Sequence, residues 1–173
     1  MVGVWGVRFG AVPTGGIDVG ALKTAGIQAV AFPFHLLNAT ETVPLASELA
    51  DGGLSVVALD PHAGGLLNGR RLESAWAPPG RTPPRPVVFS ALARELAPVT
   101  RLGFLTKGRV RTLGQAALQF VWQARGVVAA LPSTEDAAEL AEWVAAFDRP
   151  PLSEEDRSKV VGLAVKRTPG SVA

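Results

Sequence analysis

Arg8, His35, Asp60, His62 and Ser133 are the side chains whose types could do chemistry together, each at or just beyond the end of a short apolar run. An imidazole beside a carboxylate makes a general base, because the carboxylate fixes the ring's tautomer and steadies its protonated form. His35, Asp60 and His62 supply that pair with one histidine to spare, so they are the candidate catalytic group of an acid–base enzyme. Two imidazoles and a carboxylate are also a donor set for a metal ion, though no metal is expected. An ordinary structural reading stands beside these: His35 closes a strand end, His62 sits in a loop, and Asp60 accepts local N–H groups, as turn aspartates do. Gly64-Gly65 could admit a phosphate, but no Lys or Ser at P-loop spacing accompanies them. Glu154, Glu155 and Asp156 read as the charged first turn of a helix with a capping box. The four tryptophans read as core or interface residues, with Trp76 placed for a ligand or partner contact.

For the chemical side chains to converge, the apolar runs must be strands of one sheet running the same way. Val56 to Leu59 is apolar without alternation, as a parallel sheet covered on both faces requires. Pro61, with no N–H for the ladder, ends it, and Gly64-Gly65 then lets the backbone bend. Val2 to Val7, Gln28 to Phe34 and Val127 to Leu131 are the other strand-like runs. Helical patterns lie between them. One leads from Asp18 to Ala25 with Gly26 as its stop; another opens at Pro44, placed in its first turn, and closes at Gly52-Gly53. Phe89 to Leu102 and Thr112 to Ala124 are two more, the latter with Leu113, Ala116, Ala117, Phe120 and Val121 on one face. Ser133 or Thr134 is expected to cap a helix with Glu135 and Asp136 in its first turn, and a peripheral helix begins at Ser153. Arg71 to Pro86, rich in Pro, Arg and Gly, reads as a long loop over the mouth of the sheet.

The pattern is α/β, strand then helix four times, in a single domain over residues 1–173. Four parallel strands with right-handed crossovers make a (β/α)4 half of a TIM-type (β/α)8 barrel. At 173 residues the chain is short for a whole barrel, which takes about 250. The five chemical side chains then leave the carboxyl ends of strands, the face on which barrel sites are built.

Composition narrows the partners. The sequence pI of about 9.5 accompanies a net charge of only +2 and reflects the lack of Cys and Tyr, which leaves little to titrate before Lys. Neither a basic cluster nor interleaved aromatics appear, so no nucleic-acid partner is expected. The absence of Cys removes disulfides, thiolate metal sites and a Cys nucleophile from these residues. With no leader-like or long apolar run, a cytoplasmic protein without membrane contact is expected. The mean hydropathy of +0.24 suits a fold with uncovered apolar edges.

The stretch from Ser55 to Arg70 resembles the seventh strand and following loop of the aldo/keto reductases: Pro61, Ala63-Gly64-Gly65-Leu66-Leu67 and Gly69-Arg70 fall in register. Gly6-Val7-Arg8-Phe9, Leu36-Leu37-Asn38, Arg111 to Leu118, Leu131-Pro132, Leu140-Ala-Glu142 and Leu152 to Asp156 extend the likeness over nearly the whole chain as strands five to eight. Leu59 departs from it where the family has an aromatic against the nicotinamide, and Asp60 where it has a small polar residue near the cofactor diphosphate.

The resemblance implies an NADPH-dependent carbonyl reduction performed by an Asp, Tyr, Lys and His on the first four strands. None of those positions falls within these residues, which contain no tyrosine. It also implies that the cofactor contacts are largely replaced. Arg8 and Phe9 stand for a Ser-Asn pair, Ala31 for a Gln, Glu135 for the basic residue at the 2′-phosphate and Trp143 for an Asn; Ser133 and Glu142 fit. No cofactor is therefore expected. The sequence points to a degenerate aldo/keto reductase-like half barrel that binds a ligand or partner at a vestigial cofactor site comprising Arg8, Gly64, Gly65, Ser133 and Glu142. The alternatives are the cofactor side of an NADPH-dependent oxidoreductase completed by a second chain, and the acid–base enzyme of His35, Asp60 and His62. A homodimer that closes the barrel is the expected assembly, with a separate N-terminal half-barrel chain as the other possibility.

Overall fold

In a computed structural model of the chain, residues 3–70 and 86–164 are described. The loop expected from Arg71 to Pro86, with Trp76, falls almost wholly outside them. Four strands form one sheet in sequential order: β1 (Gly6–Arg8), β2 (Ala29–Pro33), β3 (Ser55–Leu59) and β4 (Val127–Leu131). Every pairing is parallel, and Val7, Val30 and Val56 lie in register across the first three strands. Among the described residues six α-helices accompany them: α1 (Val19–Thr24), α2 (Ala39–Asp51), α3 (Pro86–Thr100), α4 (Leu113–Trp122), α5 (Ala137–Val144) and α6 (Glu154–Ala164). No helix among the described residues is long and apolar enough to cross a membrane.

The core lies on one face of the two inner strands. Val30 and Phe32 of β2 and Val56 and Ala58 of β3 are buried against Leu45, Leu49, Ala117, Phe120 and Val121 of α2 and α4. Their alternate neighbours are half-buried, so each inner strand alternates where cover on both faces was expected. α4 is the most enclosed helix. Gly114 through Val121 are all buried, not one face alone. Its polar members survive burial by bonding outward: Gln115 donates to the Glu142 carbonyl at 2.9 Å, and Gln119 donates to those of Ala146 and Pro150 at 3.0 and 3.1 Å. Gln123 exchanges two bonds of 3.2 Å with the Leu152 backbone. These glutamines, one turn apart, fasten the segment after β4 to the core.

Two helix starts differ from expectation. α2 begins at Ala39, placing Pro44 inside the helix. The cause is Asn38, whose side chain accepts the His35 N–H and donates to the Pro33 carbonyl, both at 2.9 Å, while Thr42 donates its hydroxyl back to the Asn38 carbonyl. α5 is capped by Asp136, which accepts the Ala138 N–H at 2.8 Å, not by Ser133 or Thr134. Thr134 is occupied one step earlier, accepting the Asp136 N–H and donating to Glu139.

Candidate functional site

Leaving β3, the backbone takes an uncommon path. Asp60 and Ala63 have φ of 47° and 52°, in the left-handed region, and Gly64 and Gly65 follow at 63° and 86°. Glycine is the residue suited to such angles, and aspartate tolerates them when its side chain bonds locally. Asp60 does so, with both carboxylate oxygens 2.9 Å from the Gly64 N–H. The Gly65 and Leu67 N–H groups turn back to the His62 carbonyl at 3.2 and 3.1 Å. The result is a tight loop whose first exposed backbone donor is already bonded to the chain's own anion.

The loop opens a cavity of about 340 Å³ lined by Asp60, His62, Gly64, Gly65, Asn68, Arg70 and Ser133. One guanidinium nitrogen of Arg70 donates to the Ser133 carbonyl at 3.2 Å and stands 3.5 Å from the Glu139 carboxylate. Glu139 also accepts from Asn68 and Thr134. Three elements thus meet on one carboxylate, and the β3 loop is held against the end of β4 and the start of α5.

His62 is placed otherwise than a loop residue at an open mouth would be. It is only 4 % exposed, its ring lies 4.3 Å from that of Trp143 at a 32° tilt, and its Nε2 is 3.3 Å from the Gly114 carbonyl oxygen. A carbonyl can only accept, so Nε2 carries the proton. Burial holds the ring's pKa below the usual imidazole range; the Gly114 bond and the charges of Glu139, Asp60 and Glu142 oppose that shift without overcoming it. His62 is thus a neutral, packed ring.

The remaining expected site residues are scattered. Asp60, Gly64, Gly65 and Ser133 share the cavity with His62; Arg8 and His35 do not line it. Arg8 is exposed at the end of β1, and His35 is half-buried beyond β2, where its N–H is capped by Asn38. Among the described residues, no three His, Cys, Asp or Glu side chains are grouped so as to hold a metal. Glu142 lines a second hollow of about 690 Å³ with Arg109, Arg111, Thr112, Gln115 and Arg149, and accepts the Thr112 hydroxyl. Asn68, Arg70 and Glu139 were not singled out from sequence. A Gly-Arg pair closing a glycine-rich loop was the signal available for Arg70; Glu139, inside a helix, offered none. Chemically, the cavity presents a carboxylate, a partly neutralised guanidinium and amide groups, a set suited to orienting a small polar ligand.

A model of the aldo/keto reductase family matches residues 19–164. Similar solved structures include two of the aldo-keto reductase AKR11C1 from Bacillus halodurans. The holo form matches with a TM-score of 0.65 and 19% identity, over 93% of this chain and 50% of that one. The apo form matches with a TM-score of 0.60 and 18% identity, over 93% and 61%. No curated protein matches the sequence. The chain thus spans about half the length of the first of these solved structures.

Proposed function

This chain belongs to the aldo/keto reductase family, and from that premise we propose that these residues form a non-redox, ligand- or partner-binding half barrel on the family's scaffold. The observation that carries the proposal is the pair of bonds from the Gly64 N–H to the Asp60 carboxylate. A backbone donor in a glycine loop attracts phosphate when it is free. Here a built-in anion occupies it, and a diphosphate brought to the same place would meet like charge. The proton donor that carbonyl reduction in the family calls for is a tyrosine, and these 173 residues contain none. The acid–base alternative loses ground to the packing of His62, whose ring is engaged by Trp143 and Gly114. Arg70 favours the cofactor-side alternative, as Ser133 and Glu142 do by resemblance, but Glu139 offsets its charge.

The test is a titration of the 173-residue chain with NADPH, followed by quenching of tryptophan fluorescence, with carbonyl substrates added afterwards. Neither saturation at micromolar cofactor nor NADPH oxidation is expected. Micromolar affinity would overturn the proposal and restore the cofactor-side alternative.

A further inference from the structure

Arginine is used in two ways on this fold. Arg70, Arg125 and Arg157 each hold a carboxylate, on Glu139, Asp51 and Glu154. Arg109, Arg111 and Arg149 hold none among the described residues, yet all three line the hollow of about 690 Å³ beside the start of α4. Like charges gathered at one concavity repel, and its low-dielectric walls concentrate their field. The one carboxylate in the hollow, on Glu142, accepts the Thr112 hydroxyl and pairs with no arginine. Arg149 is remote in sequence from the other two, so the group exists only in the folded chain. The packing places its members from the core outwards. Gln115 and Gln119 of α4 donate to the carbonyls of Glu142, Ala146 and Pro150, which fixes the chain on both sides of Arg149. One terminal nitrogen of Arg111 donates to that same Pro150 carbonyl at 2.8 Å. The Arg111 Nε is buried and has no acceptor. A buried donor without a partner is costly, and an incoming oxygen would satisfy it. Arg109 has φ of 54°, directly after Gly108 at 70°, and non-glycine residues held at such angles gather at ligand sites.

We propose that this hollow binds the phosphate group of a small polar ligand, with Arg109 and Arg149 as counter-charges and the Arg111 Nε as a fixed donor. Guanidinium forks match the oxygens of a phosphate. Three guanidiniums against the single carboxylate of Glu142 leave two positive charges over. A phosphate monoester, close to a dianion at pH 7, balances them; one carboxylate would balance half. The volume lies within the range of small-molecule sites, roughly 300–1,000 Å³, so the group that bears the phosphate fits as well. No residue lines both this hollow and the Asp60 cavity, so the site goes beyond the function proposed above.

Isothermal titration calorimetry of the 173-residue chain, at fixed ionic strength, tests this with ribose 5-phosphate, inorganic phosphate, ribose and acetate. Ribose 5-phosphate should saturate one site with a Kd below about 1 mM, inorganic phosphate should bind more weakly, and ribose and acetate should not saturate. Inorganic phosphate binding as tightly as ribose 5-phosphate would overturn the organic ligand in favour of the free ion. No saturation by either phosphate, or saturation by acetate, would overturn the site. Arg109→Gln and Arg149→Gln, both at exposed positions, should each weaken ribose 5-phosphate about tenfold or more with circular dichroism unchanged. Arg101→Gln removes the same charge from an exposed position outside the hollow and should leave the affinity as it was. Equal losses in all three variants, or none in the first two, would show attraction by net charge alone and overturn the proposal. NADPH held here would be lost in Arg149→Gln, whereas NADPH held at the Asp60 cavity would not, so the two readings can fail separately.

Discussion

Replacing His62 by alanine separates a packed structural ring from an accessible catalytic one. The side chain is 4 % exposed, stacks on Trp143 with ring centres 4.3 Å apart, and reaches the Gly114 carbonyl at 3.3 Å. Truncating a large buried side chain costs about 2–5 kcal/mol, and an imidazole, small and partly polar, belongs near the low end at about 2 kcal/mol. Losing the ring contact adds about 0.5–1 kcal/mol. The hydrogen bond is long, and its loss adds about 0.5 kcal/mol. A total of about 3 kcal/mol corresponds, in a chain of this length, to a fall in Tm of roughly 6–12 °C. Urea unfolding followed by circular dichroism measures it, with the midpoint moving and the slope unchanged. His62→Phe keeps the stacking and loses the N–H, and should recover most of the loss. If His62→Ala stays within about 0.5 kcal/mol of the parent, as surface changes do, the ring is not packed as described. The acid–base reading of His35, Asp60 and His62 would then return.

Three further outcomes follow from the same geometry. Burial lowers the pKa of His62 in the folded chain, so below the ordinary imidazole value of about 6.5 the unfolded state takes up more protons. Its contribution is fully present above that pH and is lost as pH falls towards the folded value; denaturation between pH 7 and pH 5 should show a decline that His62→Phe flattens. Gly126 has φ of 82°, and an added Cβ would lie 2.7 Å from that of Ala50 and 3.0 Å from the Ala46 carbonyl oxygen, so Gly126→Ala should cost about 2–4 kcal/mol. Gly64, equally left-handed but with open space around it, should lose only about 1 kcal/mol on the same change. Finally, Asp60→Ser combined with Glu135→Arg, which removes two negative charges and adds one positive, should raise NADPH affinity measurably in the fluorescence titration; no gain would mean that sign of charge is not what limits binding.

The strands and their order were legible because each apolar run is bounded by residues that end strands for a physical reason, such as Pro61 after β3 and Gly126 before β4. The cavity was legible in part, through Asp60, Gly64, Gly65 and Ser133. What sequence did not show are contacts between residues distant along the chain. His62 looks like a loop residue because nothing local announces that Trp143, a full βα unit later, closes over it. Arg8 and His35 share the carboxyl end of the sheet with the site, yet the sequential order places them on β1 and beyond β2 while the cavity opens between β3 and β4. Pro44 misled because proline favours the first helical turn, a preference outweighed here by the bonds that the Asn38 side chain makes to His35 and Pro33 before the helix and that Thr42 makes back to the Asn38 carbonyl.

The loop after β3 holds the closest match to the family in sequence and the sharpest departure from it in charge, and its backbone explains how the two coexist. Its path is fixed by left-handed residues at 60, 63, 64, 65 and 69, and φ at a glycine does not depend on which ligand the loop faces. The Gly-Gly pair therefore fixes the path of the loop while leaving the chemistry at position 60 free to vary. Aspartate suits that position for a local reason: it tolerates the left-handed angle, and its carboxylate satisfies the Gly64 N–H. A serine or threonine there would leave that donor to water or to a phosphate. An aspartate at this position can thus stabilise the loop by itself, because it satisfies that N–H from within the chain. Asp60→Ala should accordingly lower stability by about 1–2 kcal/mol, whereas Asp60→Asn, which keeps the acceptor and the tolerance of left-handed angles, should stay within about 0.5 kcal/mol. Equal losses in the two variants would show that the charge itself, not the cap, is what the loop requires.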